Sequence, residues 1–134
     1  MQFPQLLICE ADDRLKDLLQ ATAATHRWAL RQLRQPESCL RLLRRGRPSI
    51  LVLRVGRRLE RELALLERVS WLYPDTAAVV VGDGEHAPLA DLAWNLGARY
   101  VLFPPQPRDR LLDVVAGLMG EAGGPKPTPE ERKR

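Results

Sequence analysis

The side chains best placed for chemistry stand at the ends of short apolar runs, and the most telling of them is a cation. Pro48-Ser49-Ile50-Leu51-Val52-Leu53-Arg54-Val55 reads as a buried strand that carries Arg54 to its carboxyl end. In an open parallel α/β sheet, ligands sit just beyond the carboxyl ends of the strands, so the residue there reports the chemistry of the site. A guanidinium is a permanent cation and only donates hydrogen bonds. It can neither accept a phosphoryl group nor ligate a hard metal ion, which takes oxygen donors. Carboxylates end two other apolar runs: Glu10, with Asp12 and Asp13 close behind, follows Leu6 to Cys9, and Asp83 follows Ala77 to Gly82. Two placements of Arg54 are open. It pairs with Glu10, Asp12 or Asp83 in an internally neutralised pocket, or it lays its stem on the strand end and its head in solvent.

Other constellations are thin. Cys9 and Cys39 form no CxxC or Cys/His spacing and read as reduced, buried thiols. His26 and His86 stand apart from any Ser, Cys or metal-ligating partner. Gly82-Asp83-Gly84 follows a strand but lacks the third glycine and the helix-opening spacing of a dinucleotide fingerprint. No metal, no cofactor and no catalytic residue is expected, and the chain is not read as an enzyme.

The elements that must hold these groups alternate strictly. Leu6–Cys9 is a first strand, and Leu15, Leu18, Leu19 and Thr22 recur at helical spacing after a cap at Asp12 or Asp13. Trp28–Leu33 alternates weakly, as an edge strand does. Pro36-Glu37-Ser38 opens a second helix, which Gly46 closes. Ile50–Val55 is followed by a leucine-rich helix over Leu59–Leu72, then by Ala77–Val81, a short helix over Leu89–Leu96, a fifth strand over Tyr100–Phe103, and a last helix over Arg108–Met119. Right-handed crossovers between such strands imply three layers with helices on both faces of a parallel sheet. At 134 residues and 45% hydrophobic composition the chain is one globular domain's worth. The reading takes residues 1–121 as that domain and 122–134, rich in Gly, Pro, Glu and Lys, as a disordered tail or linker. No stretch approaches the roughly 18 apolar residues of a membrane span. The start of the chain lacks the layout of an export signal, so a cytoplasmic address is expected.

Three stretches carry a family likeness: Cys39 to Leu53, Leu72-Tyr73-Pro74-Asp75-Thr76, and Leu96-Gly97-Ala98 with Tyr100 to Pro104. From about Pro4 to Glu121 the chain resembles a receiver domain of the bacterial response-regulator family. The resemblance implies a flavodoxin-like (βα)5 fold with strand order 2-1-3-4-5 and a site at the switch point between strands one and three. It also implies where the working residues should fall. The acidic pair that binds Mg²⁺ falls on Glu10 and Ala11, with Asp12 beside it. The phosphorylated aspartate falls on Arg54, the switch hydroxyl on Gly82, and the lysine before the last strand's proline on Phe103. Phosphoryl transfer needs an anionic nucleophile, a divalent cation and donors aimed at the equatorial oxygens. With nucleophile, hydroxyl and lysine all replaced, the resemblance is to a degenerate, pseudo-receiver member. It further suggests a cis bond between Phe103 and Pro104.

Charge is unevenly spread. From Arg27 to Arg68 twelve arginines face four glutamates, whereas from Val69 to Pro125 three arginines face seven acidic residues. Arg41, Arg44, Arg45 and Arg47 with Arg57, Arg58 and Arg61 are expected either to form one basic face for acidic partners or nucleic acid, or to be solvated helix faces. Trp71, at a helix end, is expected in the core. Trp94 and Tyr100 are open between core packing and the face that the resembled family uses for partners and dimers. The expected function is a phosphorylation-independent receiver-like signalling domain that binds a protein partner, with a homodimer as one form of it. The alternatives are a nucleic-acid-associated regulatory module and a receiver phosphorylated at another carboxylate.

Overall fold

The computed structural model describes residues 4–45 and 48–123. Five strands and five helices alternate: β1 (Gln5–Cys9), α1 (Arg14–His26), β2 (Ala29–Leu33), α2 (Pro36–Arg45), β3 (Ile50–Val55), α3 (Leu59–Leu72), β4 (Ala77–Gly82), α4 (Ala87–Asn95), β5 (Tyr100–Leu102) and α5 (Arg110–Gly123). All neighbouring strands are parallel, in the expected order β2-β1-β3-β4-β5.

The sheet is buried on both faces because its central strands are apolar at nearly every position, and alternation splits their side chains between two cores. Leu7, Cys9, Leu51, Leu53 and Val80 pack against Cys39 and Leu43 of α2, Leu65, Leu66 and Val69 of α3, and Ala93 of α4. Leu6, Ile8, Ile50, Val52, Val79 and Val81 pack against Leu15 and Leu19 of α1 and Leu111, Val115 and Met119 of α5. The edge strand β2 is only half covered.

Where boundaries move, local hydrogen bonding moves them. The Trp28 amide is taken by the Ala23 carbonyl at 2.8 Å, closing α1 before β2 can begin, and the Trp28 ring stacks on His26 with centroids 4.6 Å apart. Pro88 is accommodated in the first turn of α4, so that helix starts at Ala87, two residues ahead of expectation. The His86 Nδ1 accepts from the Leu89 amide at 3.0 Å, which gives this histidine a capping role. α5 runs past Met119 to Gly123. Trp71 is a correction: it is 81% exposed beside exposed Leu72, because α3 turns its buried stripe, Leu65, Leu66 and Val69, away from that side. Of the expected tail, residues 122 and 123 belong to α5, and the rest from residue 124, with Gly46 and Arg47, lies outside the described residues.

Candidate functional site

Register explains why charged groups from three strands meet. Ile8 pairs with Val52 and Val52 with Val79, all in the layer under α1 and α5. Moving two residues along β1 and β3, and four along β4, keeps the same face and reaches Glu10, Arg54 and Asp83. Arg54, with 11% of its side chain exposed, donates through Nε to Asp83 Oδ1 and Oδ2 at 3.0 and 3.1 Å. Its Nη1 donates to Asp12 Oδ1 at 2.5 Å and lies 3.8 Å from Glu10 Oε2. Of the two placements left open by the sequence, the structure has the paired one.

Each carboxylate is already committed. Glu10 is 3% exposed and acts as the cap of α1: Oε1 accepts the Leu15 and Lys16 amides at 2.9 and 3.2 Å, and Oε2 accepts Leu15 at 3.1 Å. The cap expected from Asp12 or Asp13 is therefore supplied chiefly from the end of β1; Asp13 makes no side-chain cap bond, and Asp12 Oδ1 takes only the Arg14 amide at 3.1 Å. Burial raises the Glu10 carboxyl above its ordinary 4.5, against the pull of those amides and of Arg54. Asp12 is held below 3.8 by the Arg14 amide and then by Arg54. Asp83 is also held below 3.8: burial opposes its charge, but bonds from Arg108 and Arg54 outweigh burial. Burial likewise opposes the charge on Arg54, and Asp83 and Asp12 overcome it.

Arg108 escaped the sequence reading, which placed it only at the start of the last helix. Its Nη2 bonds Asp83 Oδ1 at 2.9 Å and the Gly82 carbonyl at 3.1 Å, so Asp83 sits between two guanidinium groups. Gln32 and Arg34 were missed as well. They reach from β2 to the carbonyls of Asp12 and Ala11 and fix the loop after β1. Alternation along β2 aims both at one side, and that was the available signal.

On the far side of the switch point, steric filling replaces charge. Phe103 is buried against Gly82, and a Cβ built on Gly82 would lie 2.5 Å from two of its ring carbons. No side chain, hydroxyl-bearing or otherwise, fits there while the ring stays. The cis peptide is a second correction: it joins Pro104 to Pro105, not Phe103 to Pro104. The Gln106 amide donates to the Phe103 carbonyl at 3.1 Å, closing a four-residue turn with Pro105 in third place, where a cis proline belongs.

The described basic residues divide between two pockets and the exposed sides of α2 and α3. Arg31, Arg41 and Arg45 line a shallow groove beside β2, and Arg61 pairs with Glu37 at 3.6 Å. Arg44 is exposed in the last turn of α2. Arg57 and Arg58 instead join Arg34 and Arg54 around a cleft of about 490 Å³ beyond β1 and β3. Trp94 is 47% exposed and meets Tyr100 edge-on at 5.9 Å, and the Tyr100 hydroxyl accepts from Arg110 Nε at 3.0 Å. That row links α4, β5 and α5 at the surface.

This arrangement of strands and helices is the receiver-domain fold of response regulators. The chain is similar to the signal receiver domain of a Luxo repressor protein from Vibrio parahaemolyticus, at 18% identity over 91% of this chain and 94% of that one, with a TM-score of 0.77. A CheY-like receiver domain protein from Methanospirillum hungatei superposes with a TM-score of 0.77 at 15% identity, over 91% and 98% of the two chains. A response regulator from Thermotoga maritima gives 0.75 at 19%, over 89% and 99%. No protein-family model matches the sequence, and no curated protein matches it. The residues present do not fit the Mg²⁺ that the resembled family binds: Arg54 Nη1 occupies the space between Asp12 and Glu10, and both Glu10 oxygens are taken by backbone amides. Among the described residues no group of three or more His, Cys, Asp or Glu is arranged to hold a metal ion. No described helix is long and apolar enough to cross a membrane.

Proposed function

We propose that this is a phosphorylation-independent receiver-like domain that signals by binding a protein partner. The observation that carries the reading is the Arg54 guanidinium, bonded at 2.5 and 3.0 Å to Asp12 and Asp83 at the point where phosphoryl chemistry would need an anionic acceptor. The cationic side chain neutralises the pocket permanently, because guanidinium does not titrate in proteins. With no charge to gain or lose at that point, the domain holds one state, and recognition is the work left to the scaffold. The half-exposed Trp94 and the Tyr100–Arg110 bond offer an aromatic anchor beside a cation, the residue types that dominate interface energetics. A homodimer through the same row is one form of this partnership.

Incubation with acetyl phosphate and Mg²⁺, followed by intact-mass measurement, should leave the protein unmodified. An added phosphate on Asp12 or Asp83 would overturn the reading. Affinity capture on immobilised wild-type protein should recover a protein that Trp94→Ala loses. Recovery of nucleic acid alone, released by moderate salt, would sink the partner assignment.

A further inference from the structure

We propose that the cleft beyond β1 and β3 binds a small organic phosphate of nucleoside-monophosphate size. This site is separate from the partner surface, and the proposal stands whether or not a protein partner exists. Four arginines and three carboxylates line the cleft, but the two sets are not equally available. Glu10 is spent on the α1 amides. Glu62, also buried, accepts the Gly56 amide at 2.8 Å, and Asp83 is held between Arg54 and Arg108. Arg54 is spent on Asp12 and Asp83. Arg57 and Arg58, by contrast, are exposed and make no ion pair among the described residues. The field in the cleft is therefore set by free guanidinium groups and not by the lining's near-balanced count.

Their position is built rather than incidental. Gly56, at φ +136°, turns the chain out of β3, and Glu62 reaches back from α3 to grip that turn, which places Arg57 and Arg58 at the cleft wall. Arg58 is also the residue that precedes α3, and no side chain caps that helix. Two free guanidinium forks suit a phosphate better than a carboxylate, since the extra oxygens take the extra donors. The ligand is organic because the remaining wall is not ionic. Cys9, Ala11, Pro36 and Val55 supply an apolar side, and about 490 Å³ exceeds what a bare phosphate fills while lying within the roughly 300–1,000 Å³ range of small-molecule sites.

The test is calorimetric titration of the full chain with adenosine 5′-monophosphate, phenyl phosphate, adenosine and inorganic phosphate. Both organic phosphates should bind saturably, phosphate more weakly and adenosine not at all. The Arg57→Ser/Arg58→Ser double variant should lose about tenfold or more in affinity for the organic phosphates. It should remain folded, because a serine at position 58 can cap α3. Arg41→Ser/Arg45→Ser, in the groove beside β2, should leave binding unchanged. Absence of binding by both organic phosphates overturns the proposal. So does equal weakening by the two double variants, which would mean attraction to overall charge alone.

Discussion

The two sides of the switch point are filled by opposite physical means. Between β1 and β3 a cation has been set among carboxylates, and the result is an ion cluster: Arg54 with Asp12, Asp83 and the more distant Glu10. Between β4 and β5 the polar groups are gone, and an aromatic ring rests on a bare backbone at Gly82. The first side is held by charge and depends on Arg54, Asp12 and Asp83 staying charged. The second is held by shape and depends on volume. A site can thus be closed electrically or mechanically, and the two closures should fail under different perturbations.

Removing the cation tests the electrical side most severely. Arg54→Met should cost about 3–5 kcal/mol in urea unfolding, because Glu10 and Asp12 would then lose their shared counter-charge and Asp83 would keep only Arg108. A loss below about 1 kcal/mol would mean that solvent, which reaches nearly half of the Asp83 side chain, already screens the cluster. On the mechanical side, Gly82→Ser should cost about 1–3 kcal/mol by overpacking against Phe103. Adding Phe103→Ala should make the serine nearly free of further cost, a coupling of about 0.5–3 kcal/mol in a double-mutant cycle. Additive costs would show that ring and glycine do not compete for one volume.

Acidity separates the two sides with a smaller effect. Asp12 and Asp83 have depressed folded pKa values, so their contribution is present above the ordinary 3.8 and is lost as pH falls further, through the folded values. Glu10 has the opposite sign. Its raised value favours the folded protein progressively as pH falls toward 4.5. Unfolding free energy should therefore rise slightly on mild acidification and then drop below pH 3.8. The drop should be about 1 kcal/mol or less, since both aspartates are partly solvated. In Arg54→Met it should shrink, whereas in Phe103→Ala it should keep its wild-type size.

The alternation of strands and helices and the two-faced sheet were legible because periodicity and turn chemistry are local signals: Ile50–Val55 and Ala77–Gly82 announce themselves, whereas the strand order was implied only by the family resemblance. Arg54 was legible for the same reason, since its position at a strand end follows from chain order alone. Its candidate partners were legible too, since Glu10, Asp12 and Asp83 follow strand ends, but not the choice between pairing and solvent, because Asp12 and Asp83 are 42 and 29 residues away in sequence and only register brings them together. Arg108 was hidden for that reason too, 25 residues from Asp83. The placement of the basic residues was left open because composition gives their number but not their direction. Arg57 and Arg58 face the cleft only through the Gly56 turn and the reach of Glu62. The exposed Trp71 was misplaced because helical spacing near a terminus does not say where the covering neighbour stops.

The Glu10 carboxylate, gripped by the amides that begin α1, has an implication for judging other sequences of this architecture. An acid at the end of the opening strand can be retained as the starter of the following helix long after any ion has ceased to visit. Its presence in a chain is then explained by folding alone and is not by itself a sign of a bound ion.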